Sequence, residues 1–545
     1  MPIDAVTNVP PPVPEPPRGY AAGSAERARL ERRTAELAGR HTSLPMVIGG
    51  ERRLGGGERT ELVQPHHHAA RLGVLGNATA ADVRAAVDAA LAAAEEWRQL
   101  PFDDRAAVFL RAADLLAGPW RETLVAAAVL GQSQPVWQAE ADAVCELADS
   151  WRFDADRARR LLAEQPPSPP GGWNRADHRP LEGFVCAVTP FNSTAAAGHL
   201  ATAPVLMGNT VVWKPAPAQT LTAHLLVLLL EEAGLPPGVV NLVTGDGQAL
   251  TEVALRDPAL AGLHFAGSTE VLQRLWREIG TNIARYRAYP RIVGTTGGKD
   301  FLVAHPSADP AVLRTALIRG AFEYQGQRCA ALSRAYLPRS LWRRIKDDLL
   351  GEVDALAVGD ATDPGNFMGA LIDARAFARV TGAIERARAD PRVELLAGGQ
   401  YDDAIGWFVR PTVLLGGDRD GEVFSTAYGG PLLAVQVYDD LRWEEALERI
   451  GRGAAQGLSG SVVARDRRAI ARAVERLRFA AGDFHVNDEP AGPAGRWPSG
   501  GRSAAAGGGT GTAEHLLRWT STRSIRETFT PPTDYVHPHM EWSPE

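Results

Sequence analysis

Apolar residues return at helical spacing between residues 82 and 100: Val83, Ala86, Val87, Ala90, Leu91, Ala94 and Trp97 share one face. That spacing predicts an amphipathic helix. The same period predicts helices over residues 25–37, 105–116, 120–130 and 138–162, the last as one long helix. From Gly183 the pattern changes. Apolar runs of strand length at 184–188, 210–213, 239–243 and 263–265 alternate with helical stretches at 195–206, 221–233, 248–254 and 269–279. Such alternation predicts an α/β chain with a parallel, doubly wound sheet that takes ligands at its strand C-termini. A second alternation runs from near Phe301 to about Asp488 and predicts a second such domain. In it, Val312, Leu313, Leu317, Ile318, Ala321 and Phe322 mark a helix over 309–324, and 334–337 reads as a strand. Between them Gly326-Gln327-Arg328 places Cys329 on a turn just past the helix end.

The stretches without this periodicity are informative too. Pro10-Pro11-Pro12-Val13-Pro14-Glu15-Pro16-Pro17 predicts a polyproline-like arm outside the core. Residues 500–511 are mostly Gly, Ala and Ser and read as a loop. Residues 516–527 read as a late strand able to pair outside its domain. A length of 545 residues suggests two or three domains, and 45% hydrophobic with 23% charged residues is ordinary for a soluble protein. A net charge of -7 without a basic stripe argues against nucleic acid as partner. There is no apolar run of membrane-spanning length, no export signal, and three cysteines make no disulfide framework, so the cytoplasm is the expected location. His66-His67-His68 are adjacent and cannot all face one ion, so no metal site is expected.

Only Lys214, Lys299 and Lys346 among the 58 basic residues are lysine. A lysine that escapes so strong an arginine bias points to a need for a compact ammonium. Trp213-Lys214-Pro215 ends one strand, Gly245-Asp246-Gly247 precedes a helix, and Phe265-Ala266-Gly267-Ser268-Thr269 opens the next. Small residues at helix N-termini offer N–H groups to phosphate, although each such turn alone is equally a plain turn. Asn192, after Thr189-Pro190-Phe191, is either an oxyanion donor or an Asx turn. Cys329 is either a nucleophile able to form thiohemiacetals and thioesters or a small packed hydrophobe.

Taken in order, Thr189-Pro190-Phe191-Asn192, Trp213-Lys214-Pro215, Phe265-Ala266-Gly267-Ser268-Thr269, Gly297-Gly298-Lys299 and Gly326-Gln327-Arg328-Cys329 resemble the aldehyde dehydrogenase superfamily. Gln138-Ala139-Glu140-Ala141-Asp142, Tyr289-Pro290-Arg291-Ile292-Val293-Gly294, Ala321-Phe322-Glu323-Tyr324 and Leu517-Arg518-Trp519-Thr520-Ser521 look like its Δ1-pyrroline-5-carboxylate dehydrogenases, also called L-glutamate γ-semialdehyde dehydrogenases. The resemblance runs from about residue 40 to 530. It implies an aldehyde dehydrogenase-like fold with two doubly wound parallel-sheet domains and a small oligomerisation β-flap. The implied divisions are an arm and helix at 1–40, a dinucleotide-binding domain at 41–297 with part of the flap near 163–182, a catalytic domain at 298–490, and a substrate loop, oligomerisation strand and tail at 491–545. It implies NAD as cofactor, with NADP the alternative, a small aldehyde as substrate, and a homodimer or higher homo-oligomer. Cys329 then matches the nucleophile, and Asn192 with the Cys329 N–H the oxyanion hole. Lys214 matches the lysine on the adenosine ribose, Ser268 a pyrophosphate ligand, and Pro215, Gly245, Gly267 and Thr269 the rest of the cofactor site.

The sequence departs from that pattern where ligands would be touched. Thr295 stands where the family has the glutamate that serves as hydrolytic base. Ala427 replaces the carboxylate that holds the nicotinamide ribose, and Gly429 the aromatic beside the nicotinamide. Ser193 replaces an aromatic after the oxyanion asparagine, Ala330 a substrate-binding serine, and Ser499, before Gly500 and Gly501, a second aromatic. These positions predict a wider pocket with one hydroxyl fewer for a substrate carboxylate. Glu146, on a helix that ends near the site in this family, is the candidate substitute base. Three functions follow: NAD(P)-dependent oxidation of a glutamate-semialdehyde-type aldehyde, a thioester-forming or thioester-reducing enzyme without the hydrolytic base, or a catalytically weak subunit that keeps the fold for assembly or binding.

Overall fold

Two seven-stranded sheets organise the chain, and five of their strands are apolar runs picked out from the sequence. The structure is a computed structural model and describes residues 7–416, 421–453, 456–490 and 511–540. In the first sheet Phe184–Thr189, Thr210–Pro215, Val240–Leu242, Leu260–Gly267 and Arg291–Thr296 run parallel. Met46–Ile48 and Glu51–Arg53 extend one edge antiparallel. Helices cover both faces, so a central strand such as Val211, Val212 and Trp213 is buried at every position and reads as an unbroken apolar run. The strand order reverses between Phe184–Thr189 and Leu260–Gly267, which neighbour each other in the sheet. In an open α/β sheet the crevice beyond the C-termini of such a pair takes the ligand.

The second sheet pairs Asp300–Ala304, Leu332–Pro338, Thr412–Gly416, Leu432–Tyr438, Ser459–Val463 and Asp483–Val486 in parallel, with Val393–Ala397 antiparallel at an edge. Helix Pro310–Phe322 and the Cys329 turn connect two adjacent strands of this sheet, Asp300–Ala304 and Leu332–Pro338. The late strand is observed as Thr520–Thr528. It pairs antiparallel with Gly172–Pro180 across the whole register from Thr520 opposite Pro180 to Thr528 opposite Gly172. This ribbon is largely exposed, and Arg175 lies over the half-exposed ring of Trp173.

Two expectations need correction. The long helix over 138–162 is instead Val136–Glu140, a π-helical turn Ala141–Glu146, and Leu147–Ala163. The widened turn leaves the apolar spacing nearly unchanged, so periodicity could not reveal it. Pro10–Pro17 is irregular and lies outside the core as expected, exposed or half-buried at every position, while Tyr20 just beyond it is 5% exposed and packs into the largest apolar cluster. The anchor of this arm is Arg121, itself 2% exposed, whose guanidinium the arm neutralises with Glu15. The helix before Cys329 stops at Phe322, because Tyr324 and Gln325 adopt left-handed backbone angles.

The three adjacent histidines diverge. His66 Nδ1 lies 3.1 Å from Ser133 Oγ, His67 faces solvent, and His68 Nε2 lies 2.8 Å from the Asp403 carbonyl. Among the described residues no group of three or more His, Cys, Asp or Glu is disposed to hold a metal. Among them, too, no helix is long and apolar enough to cross a membrane.

Candidate active site

The Cys329 turn is strained and clamped. Tyr324, Gln325 and Gly326 have φ of 51°, 57° and 65°, three left-handed residues in succession. For the two non-glycine residues this conformation costs roughly 1–3 kcal/mol each and persists only where the surroundings fix it. Gln325 supplies the fixing. Its amide donates to the carbonyls of Ser133 and Ala370, both at 2.9 Å, and its oxygen accepts from the Gly369 N–H at 2.9 Å. Gln327 Oε1 accepts from the Ile372 N–H at 2.9 Å. A Cβ on Gly326 would meet the Gly430 carbonyl oxygen at 2.5 Å, so the turn also needs glycine there. Cys329 emerges from it exposed, whereas Cys145 and Cys186 are buried.

Asn192 reaches this turn from the other domain. It follows the strand Phe184–Thr189 and precedes the helix Thr194–Leu206. Its Nδ2 donates to the Gln327 carbonyl at 2.6 Å, two residues from the nucleophile. One amide hydrogen is thereby used to hold Asn192 against the turn, and the second is left for an oxygen near Cys329. Ser193 caps the following helix by accepting from the Ala196 N–H at 2.9 Å, and its hydroxyl donates to Asp142 at 2.5 Å. That hydroxyl is committed to the fold. Ala330 is 1% exposed against Leu458. Ser499, Gly500 and Gly501 lie outside the described residues.

Charge around the sulfur works against activation. One side of Cys329 meets water while protein closes the others, and loss of hydration pushes its thiol up to about 12. The charges of Asp300 and Glu146 add to the rise; the Arg328 guanidinium and the Ala330 N–H oppose it. Arg328 is itself paired with Glu323 at 3.2 Å. Asp300 is fully buried and its carboxyl is raised to about 7 by that burial, although it accepts from the Leu458 and Ser459 N–H groups at 2.9 and 3.0 Å. Glu146 ends the π-helical turn, where its charge reaches Cys329. Thr295 is the penultimate residue of the strand Arg291–Thr296 and is half-buried; it carries a hydroxyl and no carboxylate.

The cofactor candidates lie at the C-terminal ends of three parallel strands of the first sheet, Thr210–Pro215, Val240–Leu242 and Leu260–Gly267. Lys214, next to Pro215 at the end of its strand, is 8% exposed. Burial lowers its ammonium to about 8, with Asp246 in partial opposition. A buried ammonium so weakly compensated fits a ligand hydroxyl better than a structural pair. Gly245, at φ 116°, passes so close to Asn77 that a Cβ would come within 2.8 Å of its side chain. A Cβ on Gly247 would sit 3.6 Å from the Lys214 ammonium. Ser268 caps the helix Thr269–Thr281, accepting from the Val271 N–H at 3.3 Å, and is exposed at that N-terminus. A Cβ on Gly267 would strike the Phe265 ring at 2.7 Å, so the backbone there is bare. Thr269 Oγ1 donates to Thr296 at 3.0 Å and ties this turn to the strand that carries Thr295. The cradle fits a dinucleotide: an ammonium for a ribose and a helix N-terminus for the pyrophosphate. At the positions that the family resemblance assigns to the nicotinamide end it is sparse. Ala427 and Gly429 are exposed, and between them the Tyr428 hydroxyl donates to Glu422 at 3.1 Å. Lys299, 2% exposed, places its ammonium 5.0 Å from the Tyr428 ring.

Sequence reasoning assigned no role to Gln325, Gln327, Asp142 or Asp300. Each lies in or beside a quoted motif, but their partners are up to 192 residues away in sequence, so only the fold reveals them.

Comparison with known proteins agrees with this geometry. The model of the aldehyde dehydrogenase family matches residues 54–525. The chain is 42% identical to the Δ1-pyrroline-5-carboxylate dehydrogenase of Agaricus bisporus, covering 98% of each chain. It is 41% identical to the mitochondrial enzyme of that name from Bos taurus, over 97% of this chain and 94% of that one. The NAD-bound crystal structure of the Mycobacterium tuberculosis Δ-pyrroline-5-carboxylate dehydrogenase superposes with a TM-score of 0.96 at 58% identity, over 99% of this chain and 100% of that one. The strand order, the asparagine held against the cysteine turn and these matches together establish that the chain belongs to the aldehyde dehydrogenase family.

Proposed function

We propose that the chain is an NAD-dependent oxidoreductase acting on an aldehyde of the L-glutamate γ-semialdehyde (1-pyrroline-5-carboxylate) type, in a pocket altered from its relatives'. The observation that carries this is the 2.6 Å bond from Asn192 to the Gln327 carbonyl, which brings an oxyanion donor to the Cys329 turn across the domain boundary. Cys329 Sγ adds to the aldehyde carbon, and the carbonyl electron pair moves to oxygen. The free Asn192 amide hydrogen and the Cys329 N–H receive that charge. The thiol proton leaves to solvent or to Glu146. When bound, the dinucleotide supplies the two-electron acceptor for the hydride, and NADP remains an alternative to NAD. Lys214, Gly245, Gly267, Ser268 and Thr269 would hold its adenosine and pyrophosphate end. Loss of hydride leaves a thioester on Cys329.

Release of the acyl group is the weak step. A positioned base contributes typically 10²–10⁴-fold to a proton-transfer step. Thr295 supplies none. Stopped-flow measurement with NAD and glutamate γ-semialdehyde should show a burst of about one reduced nicotinamide per site before a slow steady state. Thr295→Glu should raise the steady rate by one to several decades. The absence of a base also favours a second reading, transfer of the acyl group to a thiol. A small thiol that speeds the steady state without enlarging the burst would select it. Absence of both burst and turnover, with NAD bound, would leave a weak or binding subunit. The exposed ribbon of Gly172–Pro180 and Thr520–Thr528 supports assembly into a homodimer or larger oligomer. Three unpaired cysteines support a reducing compartment such as the cytoplasm.

A further inference from the structure

The run Gln138-Ala139-Glu140-Ala141-Asp142 has no part in the chemistry above. Its two carboxylates flank the point where the helix widens into the π-helical turn Ala141–Glu146. Glu140 is fully buried and faces the N-terminal arm. Its Oε1 accepts from the Arg18 N–H at 2.8 Å and from Arg121 Nε at 3.0 Å, and its Oε2 accepts from the Tyr20 hydroxyl at 2.9 Å. Arg121 also donates to Glu15 at 2.6 Å and to the Pro16 carbonyl at 2.8 Å, and the Glu15 N–H donates to Asp149 at 2.7 Å. The arm is thus bound on both sides of the widened turn.

Asp142 faces the other way. Its Oδ1 accepts from the Ser193 hydroxyl at 2.5 Å and its Oδ2 from the Thr194 N–H at 2.7 Å. Those are the two residues that follow Asn192. The first N–H groups of a helix have no partner within it, so a carboxylate placed there sets where the helix begins. Here it sets how the chain leaves Asn192. Burial raises the Asp142 carboxyl, and its bonds to Ser193, Thr194 and Ala195 work against that rise.

We propose that Asp142 is a positioning residue for the oxyanion donor, clamping Ser193 and Thr194 so that Asn192 faces the Cys329 turn, and that Glu140 ties the N-terminal arm to the same turn to hold Asp142 in place. The reach of this clamp explains why an irregular and largely exposed arm is hydrogen-bonded at Glu15, Arg18 and Tyr20 to one helix pair. It also accounts for the Ser193 hydroxyl, which serves Asp142 instead of a substrate.

The proposal rests on the dehydrogenase reading for its kinetic arm, and on amide exchange for an arm independent of turnover. In the full-length enzyme Asp142→Ala should slow single-turnover hydride transfer about 10- to 100-fold, below the full loss of an oxyanion donor. The aldehyde KM and the NAD affinity should change less than threefold, and Asp142→Asn, which keeps one acceptor oxygen, should recover part of the rate. Asp142→Ala combined with Asn192→Ala should be no slower than Asn192→Ala alone, because both act through one group. Multiplicative losses, or a shift in KM alone, would overturn the proposal. Hydrogen exchange at residues 194–197 should quicken in Asp142→Ala, and more weakly in Tyr20→Phe, which removes one bond to Glu140. Unchanged exchange at 194–197 in Asp142→Ala would overturn it whether or not the protein oxidises an aldehyde. If wild-type enzyme gives no hydride transfer, the dehydrogenase reading fails, and the exchange result alone decides the clamp.

Discussion

Alkylation of Cys329 across a pH series tests the electrostatics of the site directly. A thiol raised to about 12 is almost wholly protonated at neutral pH. At pH 7.5 the thiolate would be ~1 part in 30,000, against ~1 part in 10 for an unperturbed cysteine. The scarcer thiolate is the better nucleophile: a Brønsted slope of ~0.4–0.5 over ~3.5 pH units returns a factor of ~30–50. The net expectation is alkylation about 10²-fold slower than a free cysteine at pH 7.5. Because one side of Cys329 meets water, screening makes that the upper limit of the retardation. Burial raises the thiols of Cys145 and Cys186 to about 12 as well, so access decides the order of labelling, and Cys329 reacts first. The assay is brief iodoacetamide treatment between pH 7 and 10, with peptide mapping. Above pH 8 the logarithm of the Cys329 rate should climb by about one per pH unit with no plateau before pH 10. A plateau below pH 9 would show a thiol activated by its surroundings and refute this account; so would labelling of Cys145 or Cys186 ahead of Cys329.

Four further outcomes follow from the same geometry. Gln325→Ala removes three hydrogen bonds and leaves buried partners unmet, so it should lower stability by roughly 2–4 kcal/mol, read as a lower denaturation midpoint at unchanged m-value. Lys214→Met should weaken NAD binding by about 10-fold or more in calorimetry, from loss of a charged hydrogen-bond donor. Because folded Lys214 titrates near 8 and the unfolded side chain near 10.5, the unfolded state binds the extra proton between those values; the wild-type apoprotein should gain stability over that range relative to Lys214→Met. Asp300 has the opposite sign. Folded, it keeps a proton up to about pH 7 that the unfolded chain releases near 3.8, so its contribution falls as pH rises through that window, by up to ~4 kcal/mol in all. Asp300→Asn should therefore match wild type near pH 4 and exceed it in thermal stability by pH 7.5.

The central strands were legible because they are buried on both faces and so appear as short apolar runs. Val240–Leu242 and Leu260–Gly267 differ from expectation only at their ends. Cys329, Asn192 and Lys214 were legible because chemistry confines them to strand or helix ends, where a turn signal marks the place. The parts not legible share one property: they depend on contacts remote in sequence. The widened turn Ala141–Glu146 follows from partners at Arg18 and Tyr20 on one side and Ser193 and Thr194 on the other. The left-handed pair Tyr324 and Gln325 follows from bonds to Ser133, Gly369 and Ala370. A helix-forming stretch ends at Phe322 for no local reason; tertiary bonds outweigh propensity there.

Asp300 and Cys329 are linked, and the link has a signature at neutral pH. Asp300 is fully buried and its charge is among the causes that raise the thiol. Its own carboxyl, raised to about 7, changes charge in the range where the enzyme would work. Below pH 7 Asp300 is mostly neutral, and the thiol is correspondingly easier to ionise. As pH rises through 7 the carboxylate forms and pushes the thiol further up, so part of the expected gain in thiolate is cancelled. Two coupled groups do not titrate as independent sites. The plot of log alkylation rate against pH should therefore run with a slope below one around pH 7 and return to about one above pH 8. Asp300→Asn keeps an oxygen to accept from the Leu458 and Ser459 N–H groups but carries no charge at any pH. Its plot should be straight through pH 7 and lie above wild type at pH 8. A straight wild-type plot superposed on that of Asp300→Asn would mean that the two groups are screened from each other, and that loss of hydration alone holds the thiol neutral.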